Sequence, residues 1–173
     1  ISLRKLYSLY PDQHALAKTE AIRLTLARWT RKRVEKLVRK ALRGHRGKWV
    51  LIGGPPCQAY SVVGRSRRRK ETRKEFESDG RHFLYKEYLR ILKRLKPPIF
   101  VMENVKGLLS SSAKGVDIFS RMLEDFASAG YTLHSFVREG SGDELKPIEY
   151  VIKAERFGIP QSRHRVIILG IRK

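Results

Sequence analysis

The sequence predicts an α/β protein, a mainly parallel sheet with helices covering it. Three observations carry that expectation. Short β-branched apolar runs, residues 49–52 (Trp-Val-Leu-Ile) and 98–102 (Pro-Ile-Phe-Val-Met), have the length of buried strands. Stretches with apolar residues at helical spacing lie between such runs, and that alternation implies βαβ crossovers. The chain has 173 residues, 41% of them hydrophobic, which suffices for one core and points to one domain.

Residues 1–48 read as a basic helical lead-in. Val34, Leu37, Val38, Ala41 and Leu42 recur at helical spacing among Lys32, Arg33, Lys36, Arg39, Lys40 and Arg43. This predicts a covering helix with a solvated basic face. Gly44 is a natural C-cap, and basic residues near that end suit the helix dipole. Tyr7, Tyr10 and Trp29 are expected to pack against neighbours instead of stacking on bases. The strand at 49–52 then runs into Gly53-Gly54-Pro55-Pro56, a stiff loop that delivers Cys57, the only cysteine.

The second half repeats the alternation. Residues 81–96 set Phe83, Leu84, Tyr88, Ile91, Leu92 and Leu95 on one helical face and stop at Pro97-Pro98. The run at 98–102 ends at Glu103. Val116, Phe119, Met122, Leu123 and Phe126 line the next helix, which Gly130 closes. Residues 131–137 alternate as a strand, 140–143 form a turn, and 150–154 and 166–171 read as the last strands.

Charge narrows the partner. A net charge of +21 and a pI near 10.6 call for a polyanion. Nucleic acid fits better than membrane, because no basic helix has a clean lipid face. No apolar stretch approaches the roughly 20 residues of a span, and the start lacks a signal-peptide core. One cysteine excludes an internal disulfide framework and leaves no zinc cluster. A cytoplasmic (bacterial nucleoid) or nuclear setting follows as the expectation. Between Arg65 and Lys74, seven of ten residues are basic, a cluster placed to meet phosphates.

Cys57 sits where open α/β sheets gather their sites, at the carboxyl end of a strand. A thiol there can be a nucleophile when nearby donors stabilise the thiolate. It can equally be a small buried residue. Position alone leaves both readings standing.

The surrounding motifs decide between them. Residues 53–64, Gly-Gly-Pro-Pro-Cys-Gln-x-Tyr-Ser-x-x-Gly, resemble the nucleophile loop of the cytosine-5 DNA methyltransferases, with Tyr60 where a Phe is usual. Residues 79–84 resemble the family's Asp-x-Arg-x-x-Leu block, 102–107 its Glu-Asn-Val block and 157–165 its Gln-x-Arg-x-Arg block. Four blocks in order are a specific signal. The resemblance implies a Rossmann-like adenosylmethionine-dependent methyltransferase fold, present here incompletely.

It also implies roles. Cys57 would add to cytosine C6, Glu103 would protonate or hydrogen-bond N3, and Arg165, with Arg163 beside it, would stabilise charge near O2. Alternation puts both arginines on one strand face. Pro55 and Leu84 would contact S-adenosylmethionine, while Gln58, Asn104 and Gln161 would order loops. Ser61, Arg65, Arg67, Arg68 and Arg69 would contact double-stranded DNA, and the target base would leave the stack. A transfer-RNA cytosine-5 methyltransferase, or a silent relative that binds DNA or a partner, are the alternatives. Residues 1–48 lack the family's glycine-rich cofactor block, and its target-recognition region would follow residue 173. A preceding segment or a second subunit is therefore expected to complete the protein.

Overall fold

The computed structural model describes residues 2–45, 47–56, 85–113 and 116–173. The chain divides into two compact units, Ile1–Lys40 and Ala41–Lys173.

The first unit is helical. Helix α1 (Leu3–Leu9) is capped by Ser2, whose hydroxyl accepts from the Lys5 amide, and α2 (Pro11–Glu20) starts on a proline at its first turn. The rings of Tyr7 and His14 stack at 3.9 Å. Helix α3 (Arg31–Ala41) follows, with Val34 buried. Gly44 lies just past it at φ 83°, the left-handed geometry expected of a helix-ending glycine. The packing expected of three aromatics is found only in part: Tyr7 stacks on His14, but Tyr7, Tyr10 and Trp29 all remain exposed, Trp29 at 84%. Neither α1 nor α2 has a buried residue. These helices are held by caps and local pairs, which create no interior for an aromatic ring to enter.

The second unit is built on a five-stranded sheet in the order β1-β2-β7-β5, with β6 paired to the start of β7. Its strands are β1 (Val50–Gly53), β2 (Ile99–Val105), β5 (Tyr131–His134), β6 (Val151–Lys153) and β7 (His164–Arg172). A small ribbon, β3 (Ser112–Ala113) with β4 (Val116–Asp117), stands apart. Helix α4 (Tyr85–Leu95) joins β1 to β2, and α5 (Ile118–Ser128) joins β2 to β5. Asp117 caps α5, accepting from the Phe119 amide.

The α/β class stands, but the sheet is mixed. Only β1 and β2 pair in parallel; β7 pairs antiparallel with β2, β5 and β6. The cause lies in the connections. Each helical crossover returns the chain in the same direction, so β1, β2 and β5 run alike. The short connection from β6 instead turns the chain back, and β7 enters between β2 and β5 the opposite way.

Helices α4 and α5 cover one face. Phe100 and Met102 of β2, Val166 and Ile168 of β7 and Tyr131 and Leu133 of β5 meet Tyr88, Leu92, Phe119, Met122 and Phe126 from the helices. Phe100 lies at the centre, 5.1 Å from Phe126 and 5.0 Å from Tyr131 between ring centroids. Its cross-strand partner is Gly170, and any Cβ at Gly170 would run into the Phe100 ring. The hydroxyl of Tyr88 reaches the carbonyls of Leu51 and Val101, tying α4 to β1 and β2.

On the other face the described residues of β2 and β7 are mostly half-buried and those of β1 exposed. The run at 49–52 was expected to be buried, yet Ile52 is 76% exposed and Val50 48%. Only Leu51 of that strand packs against the core. Helices α4 and α5 both pack on the face turned away from Val50 and Ile52.

Candidate active site

Glu103 does not end its strand. Strand β2 continues through Asn104 to Val105, and burial alternates along it. Phe100, Met102 and Asn104 point toward the core, whereas Val101, Glu103 and Val105 lie on the open face. Glu103 stands opposite Ile167 of β7, and Val105 stands opposite Arg165. Glu103 and Arg165 are thus diagonal neighbours on one face, within reach of long side chains.

They meet there. Arg165 Nε lies 2.8 Å from Glu103 Oε1, and Arg163 Nη2 lies 3.8 Å from the same oxygen. Arg165 is fixed a second time, its Nη1 donating to the His164 carbonyl at 2.8 Å. The carboxylate is half-exposed, so the arrangement contributes little to stability. What it does is hold an acid and two guanidinium groups together on an accessible surface.

The loop after β1 reaches the same place. A Cβ on Gly54 would lie 3.1 Å from Glu103 Oε2 and 3.6 Å from the Glu103 carbonyl, so glycine lets the loop pass beneath the carboxylate. On the core side, a Cβ on Gly53 would sit 2.5 Å from the Tyr88 ring. Buried Asn104 then joins loop to strand. Its Nδ2 donates to the Pro55 carbonyl at 3.2 Å, while its Oδ1 accepts from the Val105 amide at 2.9 Å. Gln161 is exposed, and its amide donates to the Ile159 carbonyl.

The structure therefore brings together Pro55, Glu103, Asn104, Arg163 and Arg165. Cys57, Gln58, Ser61, Arg65, Arg67, Arg68, Arg69 and Leu84 lie outside the described residues. One pair near the site was missed by sequence reasoning: His164 Nε2 lies 2.7 Å from Glu155 Oε1. The Glu155 carboxyl is held below its usual range, first by its own backbone amide and then by His164. The signal was a histidine between the two arginines with a carboxylate nine positions earlier, and only the β6–β7 register turns that into a contact.

An acid and two arginines thus lie beside a Gly-Gly-Pro-Pro loop, at the carboxyl end of two parallel strands of an α/β sheet. Residues 39–173 match the family model for C-5 cytosine-specific DNA methylase, and the chain belongs to that family. It is similar to the type II methyltransferase M.Bpa9945I of Bacillus paralicheniformis, at 42% identity over 72% of this chain and 25% of that protein. It is also similar to the type II methyltransferase M.BsuRI of Bacillus subtilis, at 36% identity over 72% of this chain and 23% of the relative. The DNA (cytosine-5-)-methyltransferase M.ApeKI of Aeropyrum pernix is 35% identical over 72% of this chain and 27% of its own length. The chain spans about a quarter of the length of these curated relatives. No helix among the described residues is long and apolar enough to cross a membrane.

Proposed function

We propose that this chain is the catalytic middle of a DNA cytosine-5 methyltransferase, working in restriction-modification as its type II relatives' names suggest. The observation that carries the reading is the Glu103 carboxylate, gripped by Arg165 at 2.8 Å and lying over Gly54 at the base of the cysteine loop.

In this reading the thiolate of Cys57 adds to C6 of a cytosine turned out of the duplex, forming a sulfur–carbon bond. The ring electrons move toward N3 and O2. Glu103 supplies the proton or hydrogen bond at N3 and accepts from the exocyclic amine, so one carboxyl reads the base and activates it. Arg165, with Arg163 behind it, meets the charge near O2. C5, now nucleophilic, accepts the methyl group; loss of its proton then expels the thiolate and restores the aromatic ring. Asn104 sets the height of the cysteine loop through Pro55, and Gln58 and Gln161 order the loops on either side. Ser61, Arg65, Arg67, Arg68 and Arg69 hold the DNA backbone.

S-adenosylmethionine supplies the methyl group when bound. Pro55, at the carboxyl end of β1, and Leu84 are the residues of this chain assigned to it. The glycine-rich part of such a pocket is not in residues 1–48. The open face of β1, with Val50 and Ile52 exposed, suits an additional segment or subunit that would complete the pocket. The names of the relatives favour DNA over transfer RNA.

The test uses the protein with its natural flanking sequence and a duplex carrying 5-fluorocytosine, in which fluorine cannot leave as a proton. A covalent protein–DNA adduct is expected, and Cys57→Ser abolishes it without loss of fold. An adduct that survives Cys57→Ser overturns the assignment of the nucleophile. Adduct formation with transfer RNA alone overturns the DNA reading.

A further inference from the structure

His164 stands between the two arginines but turns the other way. Alternation along β7 puts it on the side of Val166 and Ile168, opposite Glu103. There it pairs with Glu155 at 2.7 Å. Glu155 belongs to the short turn Ala154–Phe157, which follows β6 and ends at Gly158 in left-handed geometry, φ 78°.

That turn closes a loop whose far end carries the arginines. The Ala154 amide donates to the Arg163 carbonyl at 3.0 Å, and the Ile159 amide donates back to Ala154 at 3.3 Å. Lys153 and His164 are cross-strand partners. The ring of His164 is thus tied to Glu155, while its carbonyl accepts from Arg165 Nη1. A shift of the His164 backbone moves one of the two anchors of Arg165.

We propose that Glu155 and His164 form a clip that positions Arg165 toward Glu103. Both are positioning residues, and the inference rests on the catalytic reading of Arg165. A pair this exposed adds little to global stability. Its effect falls on rate, because a displacement of about 1 Å at a reacting group can cost on the order of 10²-fold.

The experiment uses the protein with its natural flanking sequence. Formation of the 5-fluorocytosine adduct and single-turnover methyl transfer are read together with DNA affinity and the thermal midpoint. His164→Ala is expected to slow both chemical readouts about tenfold, within the range that misplacement produces. DNA affinity and the midpoint should stay near wild type. Glu155→Ala, at a more exposed position, should slow them equally, and the double variant should be no slower than either single one. His164→Gln, which keeps a donor for the carboxylate, should recover most of the rate.

A His164→Ala protein that reacts at the wild-type rate overturns the clip. So does a double variant whose loss is the product of the single losses. A wild-type protein that forms no adduct overturns the proposed function itself, and the clip with it.

Discussion

The two faces of β2 carry opposite burdens. Phe100 and Met102 face helices α4 and α5 and are fully buried, whereas Val101 and Glu103, one residue away from each, look onto an open surface. Aromatic packing fixes the first face: Phe100 touches Tyr88, Phe126 and Tyr131, and fits only because Gly170 has no side chain. The second face holds ions that add little stability. Glu103 would be a poor choice for a strand that needed only to fold, since a half-exposed carboxylate gains little from its arginines. The difference shows that this strand is anchored on one side so that the other can hold an acid at a fixed point.

The largest effect that separates the faces is on stability. Phe100→Ala should cost about 3–5 kcal/mol, as large-to-small changes in a packed core do. Val101→Ala, on the open side, should cost less than about 1.5 kcal/mol. Denaturant unfolding of both variants checks the contrast, and equal losses would show that the open face is also packed.

Asn104 lies where the faces meet. Asn104→Ala removes the donor to Pro55 and the acceptor for the Val105 amide, two contacts of a buried side chain to half-buried backbone groups. The expected loss is about 1–3 kcal/mol, with slower adduct formation at the Cys57 loop. Asn104→Asp keeps the acceptor but buries a carboxylate against the Pro55 carbonyl, so it should cost at least as much as Asn104→Ala. Denaturant unfolding of the two variants checks that order.

A smaller effect comes with alkali. Burial pushes the phenols of Tyr131 and Tyr150 up to about 12, for Tyr150 with help from Asp143 and Glu149. In an unfolded chain such phenols ionise near about 10. From about pH 10 to 12 the unfolded chain therefore gives up protons that the fold keeps. Stability from these groups is complete below about pH 10 and falls as pH rises. The Tyr150 hydroxyl is buried with no hydrogen-bond partner among the described residues. Tyr150→Phe should thus raise stability at neutral pH by up to about 1 kcal/mol and flatten the alkaline loss. Urea midpoints from pH 8 to 11 provide the check.

Much of the site was legible as local pattern. Glu103, Asn104, Arg163 and Arg165 stood out because their neighbours repeat a known order of blocks, and alternation alone placed both arginines on one face. Helices α4 (Tyr85–Leu95) and α5 (Ile118–Ser128) followed from apolar spacing, although Val116, expected on the second, lies in β4. The core shows why: Tyr88, Leu92, Phe119 and Phe126 all enter one cluster. Strand direction was not legible. Periodicity tells which residues share a face but not which way a strand runs, so the reversal of β7 escaped it. The open face of β1 escaped it too, since Val50 and Ile52 read as buried wherever a covering element is assumed. The pairing of Glu155 with His164 depends on the β6–β7 register, which no local pattern encodes.

Under the proposed function, the face of β2 and β7 that carries Glu103 and Arg165 acts on charge that develops during the reaction. Single-turnover methyl transfer by Arg165→Ala, in the protein with its flanking sequence and at saturating DNA, tests it most directly. Removing a donor of this kind costs about 10²–10³ in rate. Stability and DNA affinity should change far less, because the contact to Glu103 is partly exposed and the chain carries 38 lysines and arginines. Arg165→Lys should recover little, since a point charge does not reproduce the fork that spans Glu103 and the His164 carbonyl. An Arg165→Ala protein that loses DNA affinity yet keeps its rate at saturation would contradict the account, and would make Arg165 a phosphate clamp.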